Sequence, residues 1–232
     1  MHALFSVEKS CLTCAVKSPL LKILSEEELQ QIDDSRTSVI YRKGETIRKQ
    51  GAVLTHVISI GQGMAKVFLE GPNNNNVLLS ILKPTSFVGG PGMFVDQIHH
   101  FTITALTECC VCFIKMSTFR EMLNTNREFN DHYLKHISQA TLAAYNRLIN
   151  LTQKPIRGRL ADSLLYLADD VFERREFDIS VTNQELSELV GMSRDNVVRN
   201  LKKFHQEGII TKTNGIIRID DYEALKAISI EN

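Results

Sequence analysis

The sequence predicts an α+β protein with three parts in chain order. These are an antiparallel β-roll over residues 1–125, a long dimerisation helix over 126–152, and a winged helix-turn-helix over 153–232. Three observations carry this expectation. Short β-branched and aromatic runs, broken by turn residues, fill Val39 to Phe113. Apolar or small residues then recur in steps of three and four from Leu134. Finally, a capping box, a turn glycine, a second cap and an Asn-Gly hairpin signal follow one another after Thr182.

The strand runs read "SVIYRKGE", "HVISIGQGMAKVFLEGPNNNN", "VLLSILKPTSFVGGPG" and "FTITALTECCVCFI". The asparagine run Asn73 to Asn76 lies between two of them and is expected to be a hairpin tip. From about Ser117 the pattern turns helical, and Leu134, Ile137, Thr141, Ala144, Leu148 and Leu151 make a seam over about two and a half heptads. That seam predicts a homodimer through the helix; the alternative is an amphipathic helix packed on its own β domain. Pro155 marks a hinge. "RGRLADSLLYLADDVFE" carries Leu160, Leu164, Leu167, Ala168 and Val171 on one face and opens the last domain. Thr182 with Glu185 caps a helix to about Val190, Gly191 suits a tight interhelical turn, and Ser193 caps the next helix. "GIITKTNGIIRID" then reads as two strands around Asn214-Gly215.

Composition bounds the function. Basic and acidic residues balance at 27 each, so no global charge argues for nucleic acid or membrane. From Arg194 to Arg218, however, six basic residues oppose Asp195 and Glu207, a local net of +4. No run of 18 apolar residues is present and the N-terminus lacks a basic leader with an apolar core, which predicts a cytoplasmic protein with no membrane partner. The five cysteines are odd in number, as reduced thiols rather than a disulfide framework would be. The sequence has no phosphate-cradling glycine loop, nucleophile elbow, HExxH helix or HxH-type set on the presumed strands. No catalytic residue is assigned, and an enzyme is not expected.

The second capped helix has the residues of a DNA reader. A recognition helix presents its N-terminal residues to base edges in the major groove. Arg194 and Arg199 can each pair bidentately with guanine and Asp195 can accept from cytosine, with Val198 on the same face one turn along. Ser193, Thr182, Lys202 and Lys203 are placed for phosphates of double-stranded DNA. The competing account is a solvated helix face in which Asp195 and Arg199, four apart, pair with each other. A β-roll that binds metal or ligand, with a C-terminal domain for protein contacts, is the alternative function; the basic segment speaks against it.

The order of roll, long helix and winged helix, with "KGETIRKQG" early and "GMSRDNVVRNLKKFHQEGII" late, resembles the Crp-Fnr superfamily of bacterial transcription regulators. The resemblance covers essentially the whole chain. It implies a cyclic-nucleotide-binding-like jelly roll as sensor, a homodimer on a palindromic site, and RNA polymerase as a partner. The family's Arg-acid-Arg recognition set falls on Arg194, Asp195 and Arg199, with Asp where Glu is commoner. In cyclic-nucleotide binders a Gly-Glu pair holds the ribose and an Arg-Ser pair the phosphate. Here Gly89-Gly90 and His100-Phe101 occupy those places, and Ala144-Tyr145 replace the polar residues of the dimer helix. A cyclic phosphate without its guanidinium lacks the bonds that offset desolvation, so cyclic AMP is not the expected effector.

Iron-sulfur members of the superfamily use three N-terminal cysteines and one on a late strand of the roll. Cys11, Cys14 and Cys112 match that set, while Ser18 or Pro19 stands where the third would fall. Cys110, two residues from Cys112 on one strand face, could complete four thiolates for an iron-sulfur cluster or zinc. The alternative is that the strand thiols are small core side chains. His99 and His100 are adjacent, so a strand points them to opposite faces, and haem is not expected.

Overall fold

Ser25 starts the first helix, α1 (Glu26–Ser35), with a capping box. Its hydroxyl accepts from the Glu28 amide, and the Glu28 carboxylate accepts from the Ser25 amide. In this computed structural model, which describes residues 10–178, 181–213 and 215–230, the chain forms two compact units. One holds the described residues up to Glu70 together with Ile81–Leu142; the other holds Gly71–Ser80 and the described residues from Ala143 on.

Two four-stranded antiparallel sheets make the roll. The first runs β1 (Arg36–Tyr41), β8 (Cys109–Lys115), β3 (His56–Gln62), β6 (Phe87–Val88). The second runs β2 (Thr46–Arg48), β7 (Thr102–Ala105), β4 (Ala65–Leu69), β5 (Val77–Leu82). Strand β8 is central, with Cys112 opposite Ser38 on one side and Ser59 on the other. It is buried almost throughout, because its second face is covered as well. There Ile114 joins Leu29 and Ile32 of α1 and Phe119 and Met122 of α3 (Met116–Thr125) in one core. Phe119 is the centre of that core: its ring stacks on Phe87 at 5.1 Å and meets Phe129 at 5.3 Å and Tyr133 at 5.2 Å edge-on. The expected tip at Asn73 is a single short turn over Pro72–Asn74, with Asn73 at φ 55°.

Phe129 and Tyr133 belong to α4 (Arg127–Gln153). Along this helix the expected seam is redistributed. Ile137 packs onto the roll core, and Leu151 lies against Gly191. The exposed apolar stripe keeps Leu134 and Leu148 of that seam and adds Leu142, Tyr145 and Ile149. A step of three or four fits several adjacent faces of one helix, and packing within the chain has taken two of the seam residues.

The second unit builds on α5 (Ile156–Tyr166), which begins after Pro155 and continues through a wide turn to Val171. Helices α6 (Asn183–Val190) and α7 (Arg194–Gln206) follow, then β10 (Ile210–Thr213), β11 (Ile216–Ile219) and α8 (Tyr222–Ile230). Two elements were not anticipated from sequence. β9 (Glu176–Asp178) adds a third strand to the wing beside β11, and α8 packs on α5. Asn214 lies outside the described residues; Gly215 takes φ 84°.

Candidate nucleic-acid interface

The helix-turn-helix is set by the local signals of its sequence. Thr182 accepts from the Glu185 amide and the Glu185 carboxylate accepts from the Thr182 amide, so the α6 start is a complete capping box. Gly191 closes α6 at φ 66°, and a Cβ there would lie 2.5 Å from Leu151 Cδ2. Both the left-handed backbone and the close approach therefore select glycine. Arg159 donates from Nη1 to the carbonyls of Leu151 (3.3 Å) and Gly191 (3.2 Å), fastening the turn to the end of α4. Ser193 then accepts from the Asn196 amide and opens α7.

Val197, Leu201 and Phe204 are buried, which fixes the rotation of α7 about its axis. Ser193, Arg194, Asp195, Val198, Arg199, Lys202 and Lys203 are left exposed, as is Thr182 at the start of α6. Asp195 and Arg199 make no ion pair with each other; among the described residues, neither they nor Arg194, Lys202 and Lys203 pair with any charged group. The solvated-pair account of this face is therefore not what the structure holds. The rest of the basic segment is engaged internally. Arg218 pairs with Asp220 at 2.6 Å, and Lys212 donates to Asn183 at 3.0 Å, where burial lowers its pKa. Among the described residues from Arg194 to Arg218, the basic side chains without an ion-pair or hydrogen-bond partner of this kind are thus those of α7.

The effector residues read from the sequence are only partly brought together. Gly90, at φ 80°, faces the Phe101 ring, whose Cζ would be 3.3 Å from an added Cβ. Beside Gly89 the space is filled by Tyr133 and Met93; a Cβ would lie 2.6 Å from the Tyr133 hydroxyl. His100 turns outward and pairs with Asp96 at 3.0 Å. Ala144 and Tyr145 are exposed on α4 and belong to the other unit. Sequence reasoning did not anticipate Tyr133, which enters from 44 residues beyond Gly89, nor that His99, considered only as a haem or metal candidate, would be buried. His99 is only 3% exposed, and neither ring nitrogen has a hydrogen-bond partner. Burial, reinforced by the nearby Arg48, pushes its pKa down to about 4.

The cysteines of the sequence reading do converge. Cys112 lies within electrostatic reach of Cys11 and Cys110, and Cys14 within reach of Cys110. Burial pushes the Cys11 thiol up to about 12 and that of Cys110 up to about 11. The Arg36 guanidinium also acts on both thiols and is fixed by Asp33 at 2.5 Å. Among the described residues, no group of three or more Cys, His, Asp or Glu is arranged to hold a metal.

Comparison with known proteins accords with both units. Residues 38–126 match the cyclic nucleotide-binding domain and residues 158–228 the Crp-like helix-turn-helix domain. The transcriptional activator protein FnrL of Cereibacter sphaeroides is 23% identical over 219 residues, covering 90% of this chain and 87% of its own. The cAMP-activated global transcriptional regulator CRP of Salmonella typhimurium is 26% identical over 175 residues, 74% of this chain and 83% of its own. The structure of FixK2 from Bradyrhizobium japonicum superposes with a TM-score of 0.78 at 16% identity, over 85% of this chain and 98% of that one. No described helix is long and apolar enough to cross a membrane. The two matched segments span more than half of a chain whose roll, long helix and winged helix-turn-helix follow in the same order, and this protein belongs to the Crp-Fnr superfamily of transcription regulators, not to the enzymes.

Proposed function

We propose that the chain acts in the cytoplasm as a homodimer that reads a palindromic duplex through two copies of α7, under a ligand or redox signal received by the roll. One observation carries the DNA reading: Arg194, Asp195, Val198 and Arg199 stand exposed and unpaired on one face of α7 while its opposite face is locked into the core. Arg199→Ala is expected to cost about 1–3 kcal/mol on a duplex selected from a random pool and to relax preference at one base position. Lys203→Ala is expected to weaken all duplexes alike and flatten the salt dependence. Anisotropy titrations against single-base variants separate the two; a uniform loss for Arg199→Ala would sink its base-reading role.

The dimer rests on the stripe of Leu134, Leu142, Tyr145, Leu148 and Ile149, five large apolar side chains exposed along a single helix. Two recognition helices about 34 Å apart would then meet successive major grooves. Leu148→Arg is expected to yield monomers in sedimentation velocity and to weaken palindrome binding roughly tenfold or more. Dimers of unchanged affinity would place the interface elsewhere.

The signal in this reading is not cyclic AMP. At the phosphate place the Phe101 ring stands against Gly90 where a guanidinium-hydroxyl pair would be needed, and at the ribose place Tyr133 and Met93 crowd Gly89. Whatever binds must favour one arrangement of the two halves over the other, since equal affinity shifts nothing. RNA polymerase is the partner that such a regulator would engage.

A further inference from the structure

On the side of α4 away from its apolar stripe, the second unit contains a cavity of about 270 Å³. Asn146, Arg147 and Asn150 line it from α4, and Asp162, Ser163 and Tyr166 from α5. On a helix advancing about 100° per residue, Arg147 lies nearly opposite Tyr145 and Ile149 and Asn150 about a quarter-turn from Ile149, while Asn146 stands at the edge of the stripe, so a second copy on the stripe leaves the Arg147 side of the cavity open.

The lining is unevenly satisfied. Nε and Nη2 of Arg147 are buried and have no hydrogen-bond partner. Among the described residues no carboxylate pairs with this guanidinium, although Asp162 and Asp170 both border the cavity. Asp162 is already held by Lys154 Nζ at 2.5 Å, and the same ammonium donates to the Ser229 carbonyl at 2.7 Å. Ser163 donates to the Arg159 carbonyl at 2.8 Å, so its hydroxyl can still accept. A buried guanidinium is unfavourable unless something supplies acceptors, and burial accordingly lowers its pKa to about 10. The two asparagines and Tyr166 offer donors and acceptors around it.

We infer that this cavity binds a small oxyanion, a carboxylate or a phosphomonoester, with its charge on the open edge of Arg147 and its hydroxyl groups toward Asn146, Asn150 and Tyr166. At roughly 30 Å³ per water the space holds about nine waters, the size of a small metabolite and just below the usual range of ligand pockets. Guanidinium matches either oxyanion through two parallel hydrogen bonds, so the headgroup chemistry is shared and the source is decided by experiment. Because the walls come from α4 and α5, an occupant clamps the end of the long helix to the first helix of the DNA-binding unit. Its regulatory consequence rests on the function proposed above; the binding itself does not.

The test is a thermal-unfolding titration of the full chain with inorganic phosphate and, separately, with succinate, at constant ionic strength set by sodium chloride. A saturable rise in Tm with one or both probes is expected, and the probe that acts identifies the headgroup. Arg147→Met, which removes the unpaired charge, should fold with a Tm at or above that of the parent and respond at least tenfold more weakly. Asn150→Leu gives a second variant with the guanidinium kept, and its response should also be weakened. Arg199→Ala should keep the full response, so a failure of DNA recognition and a failure of anion binding are read apart. No rise with either probe, or equal rises in parent and Arg147→Met, would overturn the assignment.

Discussion

Phe119→Ala is expected to lower the unfolding free energy of the roll unit by about 3–5 kcal/mol, the range for a fully buried phenylalanine. The side chain has no exposed surface, and its ring is the common neighbour of Phe87, Phe129 and Tyr133. Those partners come from a strand of the roll and from α4, so the vacated space cannot be closed by moving one element alone. A Tm decrease of roughly 10 °C or more should follow. The chain has no tryptophan, so far-UV circular dichroism during urea unfolding is the suitable readout. A loss below about 1 kcal/mol would mean that the cluster relaxes into the gap and that the ring contributes little beyond its volume.

Stability should also fall as the medium is acidified through pH 6.5 toward 4, by about 3 kcal/mol from His99 alone. The sign follows from its depressed pKa. The unfolded chain protonates near the ordinary histidine value, whereas the folded chain holds the ring neutral down to about 4. Between those values the unfolded state binds more protons, so acid favours unfolding; above them the contribution is complete. His99→Leu is expected to flatten this part of the profile and to be near neutral at pH 7, because both ring nitrogens it removes are unpartnered. Carboxylates with lowered pKa, such as Asp33 and Glu70, act at lower pH and leave the upper part of the window to histidines. An identical profile in parent and variant would show that His99 is hydrated or titrates normally.

The helix-turn-helix was legible because its determinants are local. Thr182, Glu185, Gly191 and Ser193 each act on backbone within a few residues, and all four perform the capping and turning roles that their types suggest. The same chemistry starts α1 through Ser25 and Glu28, and α8 through Asp221, whose carboxylate accepts from the Ala224 amide at 2.9 Å. Those signals are present in the sequence but sit beside shorter apolar patterns. The effector region was poorly legible for the opposite reason. Whether Gly89 opens onto a pocket depends on Tyr133, whose position is fixed by a core assembled from three distant segments. The seam of α4 lies between these cases: periodicity identified the helix, but which residues turn inward was settled by neighbours such as Gly191.

Arg159 and Lys154 have a mechanical consequence. Arg159 joins the last turn of α4 to the Gly191 bend, while Lys154 ties the same end of α4 to Asp162 and to the final helix. Within the second unit these two clamps tie the position of the reading helix to that of the end of α4.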